Sequence, residues 1–490
     1  MNFQIFEICS IVIVLSALFG YINVKILKMP NTIGLMVVAI VFTLVLFAST
    51  YYTDFFLKAA RDLIGAINFQ HVLLEVMLGF LLFAGAMHTN FDQLRVQRWP
   101  VLVFSTLGVL ASTFICATII YFTFGAIGLT VSYIECLLFG ALISPTDPIA
   151  VLGILKKAGV PKQLETKIVG ESLFNDGVGV VVFLTILSIA TGGGHLGEEA
   201  RDDGHARQQT VNQTSEFLLA SYQETAEEHE EPSQENLEGE GAAHANHSSH
   251  DAAAPHAKAG GNQIIDTIKL FGTEIFGGIL LGLIIGYFTF LLLRSIDDYE
   301  IEVMITLACV MGGYSLASAL HFSAPLAIVV AGLLVGNDTV RGTAMSKQTE
   351  IYVDKFWELL DILLNAILFV LIGLEMLLLT ISQEYIYAAL LAIVIVLFSR
   401  FVSLLAPVRF FAKKLNFVPH TTTIMAWGGL RGGISIALAL SLPPELNRDL
   451  FLTVTYGVVI FSIIVQGLTV GKLARKLIGA DAMQEPEAAH

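Results

Sequence analysis

Two acids and two polar partners stand where a membrane-spanning helix rarely carries any. Residues 170–179 read Gly-Glu-Ser-Leu-Phe-Asn-Asp-Gly-Val-Gly, and an apolar run follows from Val180 to Ile189. Glu171, Ser172, Asn175 and Asp176 therefore lie inside one apolar span. A charge at the centre of such a helix costs about 2.5 to 3.5 kcal/mol on insertion scales, so each acid calls for a use or a partner. Helical spacing puts Glu171 and Asn175 on one face, four residues apart, with Ser172 and Asp176 on the adjacent one. A carboxylate, a hydroxyl and an amide carbonyl form an oxygen-only set, which suits a hard cation such as Na+ or Li+.

A second oxygen-rich stretch, Ile143-Ser144-Pro145-Thr146-Asp147-Pro148, lies one span earlier. Two prolines three residues apart remove two backbone donors and clash with earlier carbonyls, so this helix is expected to be broken. Unwound backbone at membrane depth is tolerated where it lines a cavity, and its carbonyls coordinate small cations in transporters. Asp147 beside the break can bind a cation or neutralise the positive end of a half-helix. Thr146, Ser172 and Asp176 are expected to converge on one ion. Glu171 needs a different fate, because a second unpaired carboxylate so close leaves a costly charge. Arg400, in an apolar context and always charged, is its expected structural ion-pair partner. Arg431 lies in Gly428-Gly429-Leu430-Arg431-Gly432-Gly433. The glycines there favour unwinding and close helix approach, which marks a second broken helix.

These groups need a membrane scaffold, and the composition supplies one. The 490 residues are 55% hydrophobic and 14% charged, with a mean hydropathy of +0.73. A soluble globular chain does not show such values, so this reads as an all-α polytopic membrane protein. Apolar runs place spans near 3–26, 30–49, 71–88, 99–124, 133–156, 166–191, 264–292, 300–320, 323–337, 356–380, 384–408, 420–443 and 449–471, thirteen in all. The opening Met1-Asn2-Phe3-Gln4-Ile5 lacks a basic signal-peptide region, and the first run is counted as a span. Eighteen Lys and Arg fall in loops of one side against three, Lys58, Arg61 and Arg448, in the short loops of the other. The positive-inside rule then puts the N-terminus outside and the C-terminus in the cytoplasm. The expected organisation is a first membrane half at 1–194, an insert at 195–262, a second half at 263–473 and a cytoplasmic tail at 474–490.

The insert differs in kind. It holds 14 acidic residues against Arg201, Arg207 and Lys258, and seven of the 12 histidines. One reading is a pH- or metal-responsive loop, since histidine titrates near neutrality and binds transition metals. The composition favours the other, a solvated disordered spacer on the outer side with a short helix near Ser215 to Tyr222. Cys9, Cys116, Cys136 and Cys309 each sit alone in apolar sequence and suggest packing, with neither a disulfide framework nor a metal site. No P-loop, nucleophile elbow, catalytic constellation or cofactor motif is present, which argues against an enzyme.

The two expected breaks fall in spans five and twelve, seven apart. An odd separation reverses membrane direction, so spans one to six and eight to thirteen read as inverted six-helix repeats with broken helices crossing near the midplane. Thr146-Asp147-Pro148, Glu171-Ser172-Leu173-Phe174-Asn175-Asp176-Gly177 and Gly429-Leu430-Arg431-Gly432-Gly433 resemble the signatures of monovalent cation:proton antiporters of the NhaP and animal sodium/proton exchanger type. Ala324 to Gly332 and Phe369 to Leu374 resemble that family too, and the similarity runs from the second span to the thirteenth without the insert.

The resemblance implies an NhaA/NhaP-like fold and a homodimer in the cell (inner) membrane, with spans four to six and eleven to thirteen as the moving core. It implies that Asp176 carries either Na+ (or Li+) or the proton, supported by Asn175 and Ser172, with Thr146 as an oxygen ligand and Asp147 holding water or dipoles. Glu171 pairs with Arg400, and the Asn-Asp pair resembles electroneutral exchangers. Neither nucleic acid nor a bound cofactor is implied. A K+/H+ exchanger would share every motif, and a metal-responsive transporter built around the insert is the more distant alternative. In many relatives the third span carries Glu where this chain has Ala84, which leaves one fewer expected oxygen, and Glu75 is a poor substitute. Glu135, Asp266, Glu274, Glu302, Asp361 and Glu375 are expected nearer span ends.

Overall fold

The computed structural model describes residues 5–191 and 261–479, apart from positions 50, 52, 54, 66, 68–70, 90, 338–341, 343, 344, 380, 381 and 416. The histidines of the insert, its expected short helix and the end of the tail lie outside the described residues. The chain forms two compact units, Met1–Leu187 with Lys269–His490, and Ser188–Ile268. The described part of the second consists of the end of one long helix and the start of the next. All the residues that converge below belong to the first.

Every described element is a helix. The first half contains α1 (Phe6–Leu27), α2 (Asn31–Ser49), α3 (Val72–Met87) and α4 (Arg98–Ala126). It continues with a broken pair, α5a (Tyr133–Leu142) and α5b (Pro148–Ala158), and then α6 (Lys162–Ala190). The second half begins with α7 (Gly261–Arg294), α8 (Tyr299–Ala319), α9 (Ala324–Val335), α10 (Lys347–Glu375) and α11 (Gln383–Leu415). A second broken pair follows, α12a (Thr421–Gly428) and α12b (Gly433–Leu440), and the last is α13 (Arg448–Ile478). Among the described residues nine helices are long and apolar enough to cross a membrane, and the pair α12a and α12b, bent by 53°, makes a tenth. The expected count of thirteen includes three shorter apolar helices, α3, α5a and α9.

Burial sorts these helices by position. α1 leaves Ile13, Val14, Leu18 and Tyr21 exposed, which costs nothing against lipid. α6 and α13 are the most enclosed of the nine long helices. α3 packs on α9, and α10 on α2. Phe83, Ala84 and Met87 of α3 join Cys309, Val310, Ile328 and Trp357 in a buried apolar cluster. The four cysteines are free thiols, Cys9 exposed and the others buried.

Two expectations need correction. α10 begins at Lys347, nine residues before the expected 356, because Ser346 caps it by accepting from the Thr349 amide and because Val353 and Trp357 bury an apolar stripe within its charged first turns. Asp361 is therefore in the middle of a helix, and Glu274 likewise lies well inside α7. Glu135, Glu302 and Glu375 do fall in the terminal turns of their helices. The side chains of Glu75 and Asp266 are outside the described residues.

Candidate ion-binding site

The break in the fifth span follows from its prolines. α5a stops at Leu142, and α5b starts with Pro148 at its first position, where a missing N–H costs nothing. Residues 143–147 between them are not helical. Buried backbone groups must find partners, and here they come from other spans. The Thr146 amide donates to Asn175 Oδ1 (3.1 Å) and the Asp147 amide to the Leu430 carbonyl (2.7 Å). The carbonyls of Ser144 and Pro145 both accept from Arg431 Nη1, the latter at 2.9 Å. Gly179 of α6 lets the Pro145 ring approach, since a Cβ there would lie 2.5 Å from its Cγ.

The break in the twelfth span is made by glycine. Gly429 to Gly432 separate α12a from α12b, and the Arg431 amide donates to Ser462 Oγ (2.9 Å). A Cβ on Gly432 would stand 3.0 Å from Asp147 Cβ and 3.1 Å from its carboxylate. Asp147 thus lies against the N-terminus of α12b, where a helix dipole favours an anion. The two breaks cross in contact, each carrying a charge at the loose ends of the other.

Along α6 the four polar residues divide. Glu171 binds Arg400 in a forked ion pair, Nη1 to Oε1 at 2.6 Å and Nη2 to Oε2 at 2.5 Å, with both side chains buried. Asn175 spends its amide on structure: Nδ2 donates to Thr146 Oγ1 (2.8 Å) and Glu171 Oε1 (3.2 Å), while Oδ1 accepts from Thr146. Ser172 and Thr146 share a hydroxyl hydrogen bond of 2.8 Å. Asp176 alone of the four has neither a hydrogen bond nor a salt bridge among the described residues, although it is only 3% exposed. The charges of Asp147 and Glu171 repel it and that of Arg431 attracts it.

Asp176 faces a cavity of about 40 Å³ that it shares with Thr146, Asp147, Asn365 and Ser435. That is room for a few waters, or for one ion with part of its shell. Ser172 and Asn175 are not in the cavity wall; they hold Thr146, which is. Ser435 was not singled out from the sequence. Its hydroxyl is buried and makes no hydrogen bond among the described residues, and its signal is a lone Ser just after the second glycine break. Asn365 was missed for the same reason, as one amide in an apolar run. Ala84 faces the apolar cluster of α3, α8 and α9 and does not line the cavity. Two carboxylates, hydroxyls and an amide around a small buried space favour a hard monovalent cation, and one unpartnered carboxylate lets a proton compete for the same place.

A chain of broken, crossing helices around buried acids is the architecture of secondary ion transporters. The comparisons place it more narrowly. The family described as sodium/hydrogen exchanger, transmembrane, matches residues 13–201 and 249–476, and the chain belongs to it. It is 42% identical over 489 residues to the Na+/H+ antiporter NhaP of Pseudomonas aeruginosa, covering 99% of this chain and all of that one. It is 30% identical to the Na+/H+ antiporter NhaH of Halobacillus dabanensis, covering 92% and 93% of the two chains. Its fold matches the sodium proton antiporter MjNhaP1 of Methanocaldococcus jannaschii at pH 8, with a TM-score of 0.64, 18% identity, and 96% and 97% of the chains covered.

Proposed function

We propose that the protein exchanges Na+ or Li+ for H+ across a membrane by alternating access, with Asp176 holding either the cation or the proton. The observation that supports this reading is Asp176, a buried carboxylate at the crossing of two broken helices that has no hydrogen bond or salt bridge among the described residues. Glu171 is neutralised by Arg400 and stays out of the exchange. One titrating carboxylate shared by one cation or one proton moves them one for one, so the membrane potential does no net work. The names of the relatives at 42% and 30% identity support the choice of ions.

The working protein is a homodimer in the cell (inner) membrane, with the N-terminus and residues 195–262 outside and the C-terminus in the cytoplasm. The basic residues support that orientation. Competition at one carboxylate makes activity fall at low pH, where the proton wins, and at very high pH, where no proton returns.

Everted vesicles carrying a pH gradient test the reading. Na+ and Li+ should dissipate the gradient in the wild type, and Asp176→Asn should abolish the response while the protein still accumulates in the membrane. Exchange retained in that variant would end the proposal. A K+ response exceeding that of Na+ would transfer it to a potassium exchanger of the same fold.

A further inference from the structure

The cavity has a wall that the exchange mechanism above does not use. α10 contributes Asn365, 5% exposed, and Leu368 to it, and Asp176 lines the same cavity. Both hydrogens of the Asn365 amide are committed to one residue: Nδ2 donates to the Asp361 carbonyl at 2.9 Å and to Asp361 Oδ1 at 3.0 Å. An amide with two donors and one acceptor oxygen, held by both donors, has its orientation fixed. The atom left over is Oδ1, which no described residue engages. Asp361 is half-buried, one turn or about 6 Å nearer the start of α10, and its charge is within range of Asp147.

We infer that Asn365 supplies an oxygen ligand to the transported monovalent cation and that Asp361 is the residue that positions it. The inference rests on the exchange reading above and adds to it a contact from outside the two crossed breaks. The set around the ion then draws on four spans: Thr146 and Asp147 from the fifth, Asp176 from α6, Ser435 from α12b and Asn365 from α10. A neutral carbonyl oxygen suits this place. It lowers the energy of a bare cation without adding a third carboxylate beside Asp147 and Asp176, whose mutual repulsion would hold a proton instead.

The test is Na+-, Li+- and K+-driven dissipation of a pH gradient in everted vesicles, read as half-saturating concentration against maximal rate. Asn365→Leu keeps the side chain's size and removes the oxygen. It should raise the half-saturating Na+ concentration about tenfold, taking one oxygen's ion–dipole contact with a cation as equal to a hydrogen bond to a charged group at the low end, and should alter the order of the three cations. Asp361→Ala should raise it in the same direction, and Asp361→Asn, which keeps an acceptor for the amide, should restore it. If Asn365→Leu does not accumulate in the membrane, the pair Asp361→Ala and Asp361→Asn decides. Half-saturation and cation order unchanged in these variants would overturn the inference, and so would a lower maximal rate at unchanged half-saturation, the mark of a purely structural role. Wild-type vesicles without any Na+ response would instead overturn the parent reading. A wild type that responds, an inactive Asp176→Asn and indifferent variants at 361 and 365 would remove this inference alone.

Discussion

The two interrupted spans reach the same outcome by opposite means. The fifth is broken by proline, which cannot donate, and its loose ends are the acceptors of Ser144 and Pro145. The twelfth is broken by glycine, which imposes nothing, and its loose end is the positive N-terminus of α12b. Each break carries the charge that the other lacks. Arg431 on the glycine break donates to the carbonyls of the proline break, and Asp147 on the proline break sits at the dipole of α12b. The difference shows that neither charge can be understood within its own helix. It also shows that the proline break is fixed by covalent chemistry, whereas the glycine break is held open by its partner.

That asymmetry can be attacked at several points. The largest effect is expected from Arg431→Ala, which strips two buried carbonyls of their donor and removes the charge that attracts Asp176. It should cost about 3 to 5 kcal/mol, lowering the melting temperature in detergent and eliminating exchange. Arg431→Lys should recover part of the loss, because one ammonium can donate to both carbonyls as Nη1 does. Next comes Glu171→Gln, which leaves Arg400 buried and half-satisfied at a cost of about 3 kcal/mol. Pairing it with Arg400→Met should recover much of that loss, and a double-mutant cycle of melting temperatures measures the coupling.

Gly432→Ala pushes a methyl group to 3.0 Å from Asp147 Cβ, so one break must shift. A cost of about 1 to 3 kcal/mol is expected, with a slower exchange rate in vesicles. The smallest effect should come from Pro145→Ala, at roughly 1 kcal/mol or less. Pro148 and the Arg431 contacts still hold that break open, so near-normal exchange would support the claim that the partner's donor matters more than this ring. A large loss in Pro145→Ala and a small one in Arg431→Ala would reverse the comparison.

Much of the site was legible because its signals are local. Pro145 and Pro148 announce a break through missing donors, the glycines around Arg431 through a missing Cβ, and Glu171 and Asp176 through the cost of charge in an apolar helix. The Glu171 and Arg400 contact spans 229 residues, yet two lone opposite charges in apolar runs suggested it. What stayed hidden depends on direction. Nothing in the sequence says that Arg431 reaches back to Ser144 and Pro145, that Asn175 turns its amide to Thr146, or that position 84 faces an apolar cluster. The start of α10 was hidden because charged first turns read as loop, and with it the mid-helix place of Asp361. Asn365 and Ser435 gave at most a weak signal, since a single uncharged polar residue in an apolar helix is ordinary until its neighbours are known.

The bonds around the cavity differ from one side to the other. Spans five, six, eleven and twelve are laced together by Thr146 to Asn175, Asn175 to Glu171, Glu171 to Arg400, and Arg431 to Pro145. On the other side, α3, α9 and α10 meet that group through Leu368 on Gly433, Leu173 near Gly85 and Leu326 near Gly177, and α13 adds a hydrogen bond from the Tyr456 hydroxyl to the Ile372 carbonyl of α10. A laced block against a greased face is a slip plane: shear along it breaks few directional bonds, whereas shear within the block breaks many. The cavity that Asp176 faces lies along that boundary, so under the proposed exchange the surface along which the molecule is easiest to slide is also the one that opens and closes around the ion.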